Sequence, residues 1–460
     1  VKQMGSIRKC SVAVACLLVA AFSSTASASE LWHITFESNW LGPMEAHVEI
    51  RRDTDQIRGV SQSGAVSVIR ELPGDHSVED GLMVFEATAN PDGSFSGSFL
   101  APWREGALQL TIDGDTLSGS VEGGAFAGSL TGRRVQEAVS VRDYGAILKT
   151  FDEVVAARIF APGDLNEPGY VEFRQAFGEI AELATDDLDL LLGFHLAWKG
   201  DPFSHFQLRR SHQSAAEMFA FFDNYRVGFE AATVEFDDAI AILKVRTMMG
   251  ADTIEQIEAA YAKIAASDVH TLVIDLRGNG GGAFAVKPLV EHVIDEPVDA
   301  GYFLSQVWNR AHERVPTDED AFAAPAWTGW SIIAFWTDVQ QRDILRVQFN
   351  PQQPNFDGDV YVLVDETSAS ATELAADAFR ASGLVTLVGR KTAGEMLSQS
   401  MFDVGEGVLI SLPVADYYSF ENGRIEGNGV PVDVEADSAS ALEVTRELIK
   451  VRQATSSTDR

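Results

Sequence analysis

Several hydroxyl side chains stand together in the stretch "VDETSASATELAADAF", residues 364–379, between the apolar run "DVYVLV" and a helix-like sequence. Ser370 and Glu373 form the S-x-x-E pattern of a capping box, so local sequence alone explains this serine as a helix cap. The second interpretation is a nucleophile, because Ala369 and Ala371 leave the hydroxyl unshielded and a helix N-terminus favours negative charge. A nucleophile would require a base elsewhere in the chain.

A glycine-rich turn, "DLRGNGGG" at residues 275–282, follows an apolar run and leads into a predicted helix. Such a turn can direct backbone N–H groups at a phosphate or at the oxyanion of acyl transfer. The run also satisfies G-x-G-x-x-A, but adjacent glycines satisfy many patterns and no P-loop lysine follows. The structural alternative is a tight turn where a strand and a helix approach closely. If Ser370 attacks a carbonyl group, we expect the N–H groups of Gly280 and Ala371 to form the oxyanion hole.

Changes in periodicity divide the chain around these motifs. Residues 29–136 alternate in polarity over short runs separated by turn signals, which predicts a small antiparallel all-β domain. Apolar residues recur at helical spacing over residues 137–232, and strands alternate with helices over residues 233–452, which predicts a helical segment followed by an α/β domain.

An aromatic-rich segment, residues 297–357, interrupts the α/β alternation. It contains Trp308, Trp327, Trp330 and Trp336, half of the eight tryptophans in the chain. A stretch this long between two core strands is typical of a lid or binding element. The alternatives are a small satellite core or a subunit interface.

The composition narrows the classes of partner. Hydrophobic residues make up 46% of the 460 residues and charged residues 22%, as in ordinary globular proteins. Acidic residues outnumber basic ones 68 to 35, for a formal net charge of -33. This excess argues against binding to nucleic acid or to an anionic membrane surface, since both require positive charge.

The N-terminal sequence is typical of a secretory signal peptide. Two basic residues, the apolar run "CSVAVACLLVAAF" and an A-x-A sequence ending at Ala28 predict cleavage after residue 28. Cleavage there would remove Cys10 and Cys16, the two cysteines of the sequence, so we expect a mature protein without disulfides. No later segment has 18 uninterrupted apolar residues, so we expect no membrane insertion. The expected location is the periplasm or the outside of the cell.

Three segments, "TLVIDLRGNGGG", "VYVLVDETSASATELAADAF" and "LVTLVGRKTAGE", resemble in this order the core of the tail-specific or C-terminal-processing serine peptidases. The resemblance covers about residues 140–440, and it implies a crotonase/ClpP-like α/β fold and the hydrolysis of peptide bonds. In that family the middle serine of S-A-S-A-S/T-E is the nucleophile, which implies this role for Ser370. Many members place a general-base lysine 25 residues later, but that position is Glu395 here and Lys391 lies four residues before it. A carboxylate cannot replace a neutral amine, so this sequence departs from the Ser–Lys branch.

The segments "KGDPFSHFQL" and "RIEGNGVPVDVE" resemble the tricorn-protease branch, which uses serine, histidine and glutamate. This resemblance implies His205 as the general base, Glu426 as the acid that orients the imidazole, and Ser204 as a supporting residue. An imidazole titrates near neutrality and a carboxylate can hold one of its tautomers, so the set is chemically complete. The alternatives are a structural hydrogen bond for the histidine and a merely solvated glutamate.

The motifs that the sequence lacks also shape the prediction. No H-E-x-x-H or paired Cys/His spacing occurs, so we expect neither a metal nor a cofactor. Related peptidases often carry a PDZ domain after the Ser-His segment, but residues 207–239 are too few for one. We therefore expect an exported serine peptidase acting on peptides or proteins, and leave open whether it forms a homo-oligomer. The rival is a non-catalytic binding protein for apolar ligands or peptides, because the resemblance extends to interphotoreceptor retinoid-binding protein.

Overall fold

The computed structural model describes residues 29–38, 42–61, 66–67, 78–79, 84–101, 104–122, 127–136, 142–211, 213–222 and 224–458. The predicted signal peptide, residues 1–28, lies outside these ranges. Within them, none of the helices has both the length and the apolar character that crossing a lipid bilayer requires.

The N-terminal part is all-β, which confirms the sequence prediction. Its strands are β1 (Glu30–Ser38), β2 (Gly42–Arg52), β3 (Gln56–Ser61), β4 (Val66–Ser67), β5 (Val78–Glu79), β6 (Val84–Ala89), β7 (Phe95–Ala101), β8 (Arg104–Asp113), β9 (Thr116–Glu122) and β10 (Gly128–Val135). Because β1 pairs with both β2 and β10, all strands except β4 and β5 close into an antiparallel barrel. Alternate residues of β1, namely Trp32, Ile34 and Phe36, lie in a hydrophobic core inside it. The barrel interior is therefore filled with side chains.

A helical segment follows the barrel. It consists of α1 (Tyr144–Arg158), a 3-10 turn (Pro162–Asn166), α2 (Pro168–Leu183) and α3 (Asp187–Ala197). Aromatic side chains of these helices and of the segment that follows them pack together, with ring centroids 5.1 Å apart for Phe194 and Phe206 and 5.0 Å apart for Trp198 and Phe203. Phe203 and Phe206 flank the Ser204–His205 pair, so aromatic packing holds the backbone on both sides of the histidine.

The α/β part contains the remaining elements. They are β11 (Gln207–Arg210), α4 (Ala215–Phe222), β12 (Ala232–Asp237), β13 (Ile240–Val245), α5 (Ala251–Ala265), β14 (Thr271–Asp275), α6 (Val286–Glu291), β15 (Val298–Ser305), α7 (Gln306–Ala311), α8 (Asp318–Ala323), β16 (Ala326–Trp327), α9 (Ile332–Val339), β17 (Ile344–Phe349), β18 (Asp359–Val364), α10 (Ala371–Ser382), β19 (Val385–Gly389), β20 (Ser398–Gly405), β21 (Val408–Ser419), β22 (Gly423–Arg424), β23 (Val434–Glu435) and α11 (Ala441–Thr458).

These strands form two sheets. The first has the order β12-β13-β14-β18-β19-β23 and is parallel except for the β12–β13 pair. The second has the order β11-β21-β15-β17-β16, with β20 and β22 also paired to β21. Helix α10 contacts β19 of the first sheet and β15 of the second, while α11 contacts β18 and β19. The helix that begins after Ser370 therefore lies between the two sheets.

The aromatic-rich segment, residues 297–357, contains two strands of the second sheet, β15 and β17. Trp327 is buried in the main core, and Trp308 is buried in a separate cluster with Tyr302. Packing in a satellite core therefore accounts for part of the segment. A lid role stays a prediction, and it can apply only to the elements between the two strands, since removing the whole segment would remove part of the sheet.

Candidate active site

Ser370 lies at the junction between the β18 loop and α10, where the backbone is strained. Its φ is 55° and its ψ is -121°, a combination that L-residues rarely adopt. The N–H of Ser370 donates a hydrogen bond to Oε2 of Glu373 at 3.0 Å, and the N–H of Glu373 donates to the carbonyl oxygen of Ser370 at 2.8 Å. The carboxylate of the predicted capping box thus holds the backbone of Ser370 at the start of the helix.

The glycine turn packs directly against the Ser370 loop. The N–H of Ala369 donates to the carbonyl oxygen of Asn279 at 3.1 Å, and the hydroxyl of Ser368 donates to that of Leu276 at 3.0 Å. Gly281 has a φ of +92°, and a Cβ atom there would lie 2.8 Å from Cβ of Ser370. Only glycine allows this close approach. The tight turn that the sequence analysis gave as the structural alternative is therefore present, and it lies beside the candidate nucleophile.

The structure brings Ser204, His205 and Glu426 together in a chain of hydrogen bonds. Oγ of Ser204 is 2.6 Å from Nδ1 of His205 and 2.6 Å from Oε1 of Glu426. Oε2 of Glu426 accepts hydrogen bonds from the N–H groups of Met396 at 2.6 Å and Leu397 at 3.1 Å. His205 and Glu426 are 4% and 8% exposed, so the chain is shielded from bulk water. Ser204, which the sequence suggested only as a supporting residue, connects the acid to the imidazole.

The hydrogen bonds among Ser204, His205 and Glu426 determine which ring nitrogen of His205 carries a proton. An ionised carboxylate only accepts hydrogen bonds, so the single hydroxyl proton of Ser204 goes to Glu426. Nδ1 of His205 must then carry a proton and donate it to Oγ of Ser204. In the neutral imidazole, Nε2 then has the lone pair that a general base requires.

The loop that precedes β20 is held by Glu373, a buried residue whose role the sequence did not reveal beyond the capping box. Its carboxylate accepts hydrogen bonds from Oγ1 of Thr392 at 2.6 Å, the N–H of Gly394 at 2.7 Å and the N–H of Glu395 at 2.9 Å. Burial raises the pKa of Glu373 to about 7, although its hydrogen-bond donors act in the opposite direction. Lys391 in the same loop is exposed and does not line the cavity described next.

A cavity of about 190 Å³ opens at Ser370. Its wall includes four of the predicted site residues, His205, Gly280, Ser370 and Ala371. Its aromatic part includes Phe284, Phe303, Trp327, Trp330, Phe335 and Trp336. The buried polar residues Gln207 and Arg209 of β11 also line it, and the sequence gave no signal for either. The candidate nucleophile, base and oxyanion donors therefore line one cavity.

Backbone strain is concentrated at this cavity. Among the described residues, five non-glycine residues have a positive φ, and three of them lie on the cavity wall: His205 at 57°, Ser370 at 55° and Trp330 at 40°. Such conformations cost of order 1–3 kcal/mol each and cluster at functional sites.

Comparison with known proteins shows which family the residues around the site resemble. Residues 239–436 match the model of peptidase family S41. Most of the α/β part of this chain is therefore similar to that family. The matched range contains Gly280, Ser370, Ala371 and Glu426, whereas Ser204 and His205 precede it. The resemblance to C-terminal-processing peptidases is thereby confirmed.

The curated relatives that match this chain are processing peptidases. The chain is 26% identical over 195 residues to carboxyl-terminal-processing peptidase 3, chloroplastic, of Arabidopsis thaliana, covering 42% of this chain and 31% of that protein. It is 37% identical over 91 residues to the carboxyl-terminal-processing protease of Synechocystis, covering 19% of this chain and 21% of that protein. The chain thus spans less than a third of the length of these relatives.

A solved structure of a lipoprotein from Streptococcus agalactiae is also similar. It has a TM-score of 0.46 and 12% sequence identity, over 69% of this chain and 100% of that chain.

Proposed function

We propose that this protein is an exported serine peptidase that hydrolyses peptide bonds through Ser370, His205 and Glu426, on a crotonase-like fold. The observation that carries the proposal is the chain of hydrogen bonds from Glu426 through Ser204 to His205, beside the cavity that His205 shares with Ser370. Export rests on the N-terminal sequence pattern alone.

The proposed reaction follows from the positions of the protons in the hydrogen bonds among Glu426, Ser204 and His205. As Oγ of Ser370 attacks the substrate carbonyl carbon, its proton moves to Nε2 of His205. The imidazolium that forms is stabilised by Glu426 through the hydroxyl of Ser204, and the N–H groups of Gly280 and Ala371 stabilise the oxyanion. His205 then returns the proton to the leaving amine, and a water molecule repeats the sequence on the acyl-enzyme.

The rival function, a non-catalytic binding protein for apolar ligands or peptides, fits the cavity less well where the ligand is a whole apolar molecule. Sites for drug-sized molecules occupy roughly 300–1,000 Å³. The cavity of about 190 Å³ is smaller than this range and opens at the candidate nucleophile. Its size therefore supports a pocket for part of a substrate rather than for a whole lipid-like ligand.

The test is covalent labelling with a fluorophosphonate, followed by peptide mapping of the labelled residue. We expect the label on Ser370 in the wild type, and loss of both label and peptide hydrolysis in folded Ser370→Ala. His205→Ala should reduce both strongly, while Lys391→Met should leave both near the wild-type level. Labelling of another residue, or retention of turnover in Ser370→Ala, would overturn the proposal.

A further inference from the structure

We propose that the cavity at Ser370 receives one large apolar side chain of the substrate, about the size of a single aromatic ring, on the acyl side of the scissile bond. This inference rests on the proposed peptidase function and adds a substrate class to it. It depends on the size, the chemistry and the position of the cavity.

The size fits one ring. An apolar protein cavity of roughly 150 Å³ binds benzene. The cavity of about 190 Å³ therefore holds the side chain of phenylalanine or a branched aliphatic residue, and has no room for two rings. An alanine side chain would leave most of this space unfilled and would forfeit the dispersion contacts of the wall.

The cavity wall is rich in aromatic side chains, which favour an apolar group and are held in place by contacts with their neighbours. Trp330 lies with its ring centroid 5.4 Å from that of Trp327 and 4.9 Å from that of Phe349, and Nε1 of Trp336 donates a hydrogen bond to the carbonyl oxygen of Gln399 at 2.7 Å. These contacts hold the side chains of the wall in place before the substrate binds. Binding therefore costs little additional side-chain entropy.

The charge of the wall excludes a basic side chain. No aspartate or glutamate is found among the described residues that line the cavity, although the chain as a whole carries a formal net charge of -33. A lysine or arginine side chain would be desolvated there without a carboxylate partner. The pocket therefore selects for an apolar ring against a cation.

The position of the cavity indicates the acyl side. Its wall includes Ser370 together with Gly280 and Ala371, the proposed donors to the oxyanion. During attack the substrate carbonyl carbon is bonded to Oγ of Ser370 and its oxygen faces those donors. The Cα atom bonded to this carbon belongs to the acyl residue, so the side chain of that residue enters the space next to the donors.

The first experiment varies only the acyl residue. With p-nitrophenyl esters of N-acetyl-phenylalanine, -leucine, -alanine and -lysine, we expect kcat/KM for phenylalanine to exceed that for alanine by at least ~30-fold, with lysine no better than alanine. Trp336→Ala should reduce the phenylalanine-to-alanine ratio, whereas Trp308→Ala, in the separate cluster, should leave it unchanged. Leu374→Phe, which fills the cavity, should reduce turnover of the phenylalanine ester more than that of the alanine ester. An alanine preference in Ser370-dependent turnover would overturn the inference.

A second experiment separates this inference from the proposed function. Binding of N-acetyl-phenylalanine amide and N-acetyl-alanine amide to Ser370→Ala can be followed by tryptophan fluorescence, since Trp330 and Trp336 line the cavity. Tighter binding of the phenylalanine amide together with no Ser370-dependent turnover in the wild type would support the pocket and refute the peptidase. Turnover without any preference for the ring in either experiment would refute the pocket alone.

Discussion

The hydroxyl of Ser204 is the link most specific to this structure, and Ser204→Ala tests it. The substitution removes the oxygen that lies 2.6 Å from both Nδ1 of His205 and Oε1 of Glu426. His205 keeps its buried position between Phe203 and Phe206, so the imidazole is retained but loses its connection to the acid. We therefore expect a weaker catalyst in which the base is still present.

The size of the loss follows from the hydrogen bonds that are removed. A hydrogen bond to a charged group contributes about 1.5–3 kcal/mol, and the imidazolium of His205 forms only as the reaction proceeds. The loss of transition-state stabilisation corresponds to a decrease in kcat of roughly 10- to 150-fold. Removing the imidazole itself with His205→Ala should cost far more, since nucleophile and base act as a unit.

The assay is ester or peptide hydrolysis with Ser204→Ala, Glu426→Gln and the double variant. If the two residues act through one connection, the double variant should lose no more than the more damaged single variant. Ser204→Thr keeps a hydroxyl and should retain most of the activity. Ser305→Ala, which removes a buried serine hydroxyl outside the cavity wall, controls for a general effect on folding. Wild-type kcat in folded Ser204→Ala, or fully additive losses in the double variant, would refute the connection.

Two further predictions concern stability. Because burial raises the pKa of Glu373 from its ordinary 4.5 to about 7, the folded protein keeps a proton between these pH values that the unfolded chain has lost. The free energy of unfolding should therefore fall by up to about 3 kcal/mol from pH 4.5 to 7 through this group, and urea unfolding should show a smaller fall in Glu373→Gln; an unchanged fall would contradict it. Ser370→Gly should be inactive yet more stable than Ser370→Ala by about 1 kcal/mol, since glycine adopts a positive φ without strain, and equal melting temperatures would contradict this reasoning.

The central strands of the α/β part were predictable because they are buried on both faces. The runs "TLVID", "DVYVLV" and "VTLVG" correspond to Thr271–Asp275, Asp359–Val364 and Val385–Gly389. Parallel strands covered by helices on both sides give continuous apolar runs, which are a strong local signal. By contrast, β11 has the sequence "QLRR", and its polar residues are buried by pairing with β21, which no local pattern indicates.

Local sequence could not predict the closure of the barrel or the hydrogen bonds that connect Ser204 to Glu426, because both depend on segments that are far apart in the chain. Strand β1 pairs with β10 at the other end of the domain, and Ser204 bonds Glu426 across 222 positions of the chain. Short motifs indicated Ser370 and the glycine turn, because those residues act together with their immediate neighbours. The residue between acid and imidazole depends on the distances among three segments, and only the fold determines those distances.

The location of His205 shows why the helical segment has to be considered part of the candidate active site. The range that matches family S41 begins at residue 239 and therefore lacks the candidate base. The backbone of His205 has a φ of 57°, and a strained conformation persists only when its surroundings impose it. Those surroundings are the aromatic cluster of α1 to α3 on one side and the pairing of β11 with β21 on the other. The helices thus hold a costly backbone conformation beside a cavity whose proposed nucleophile and oxyanion donors come from the part that matches family S41. In the proposed mechanism, neither part contains a complete set of reacting groups without the other.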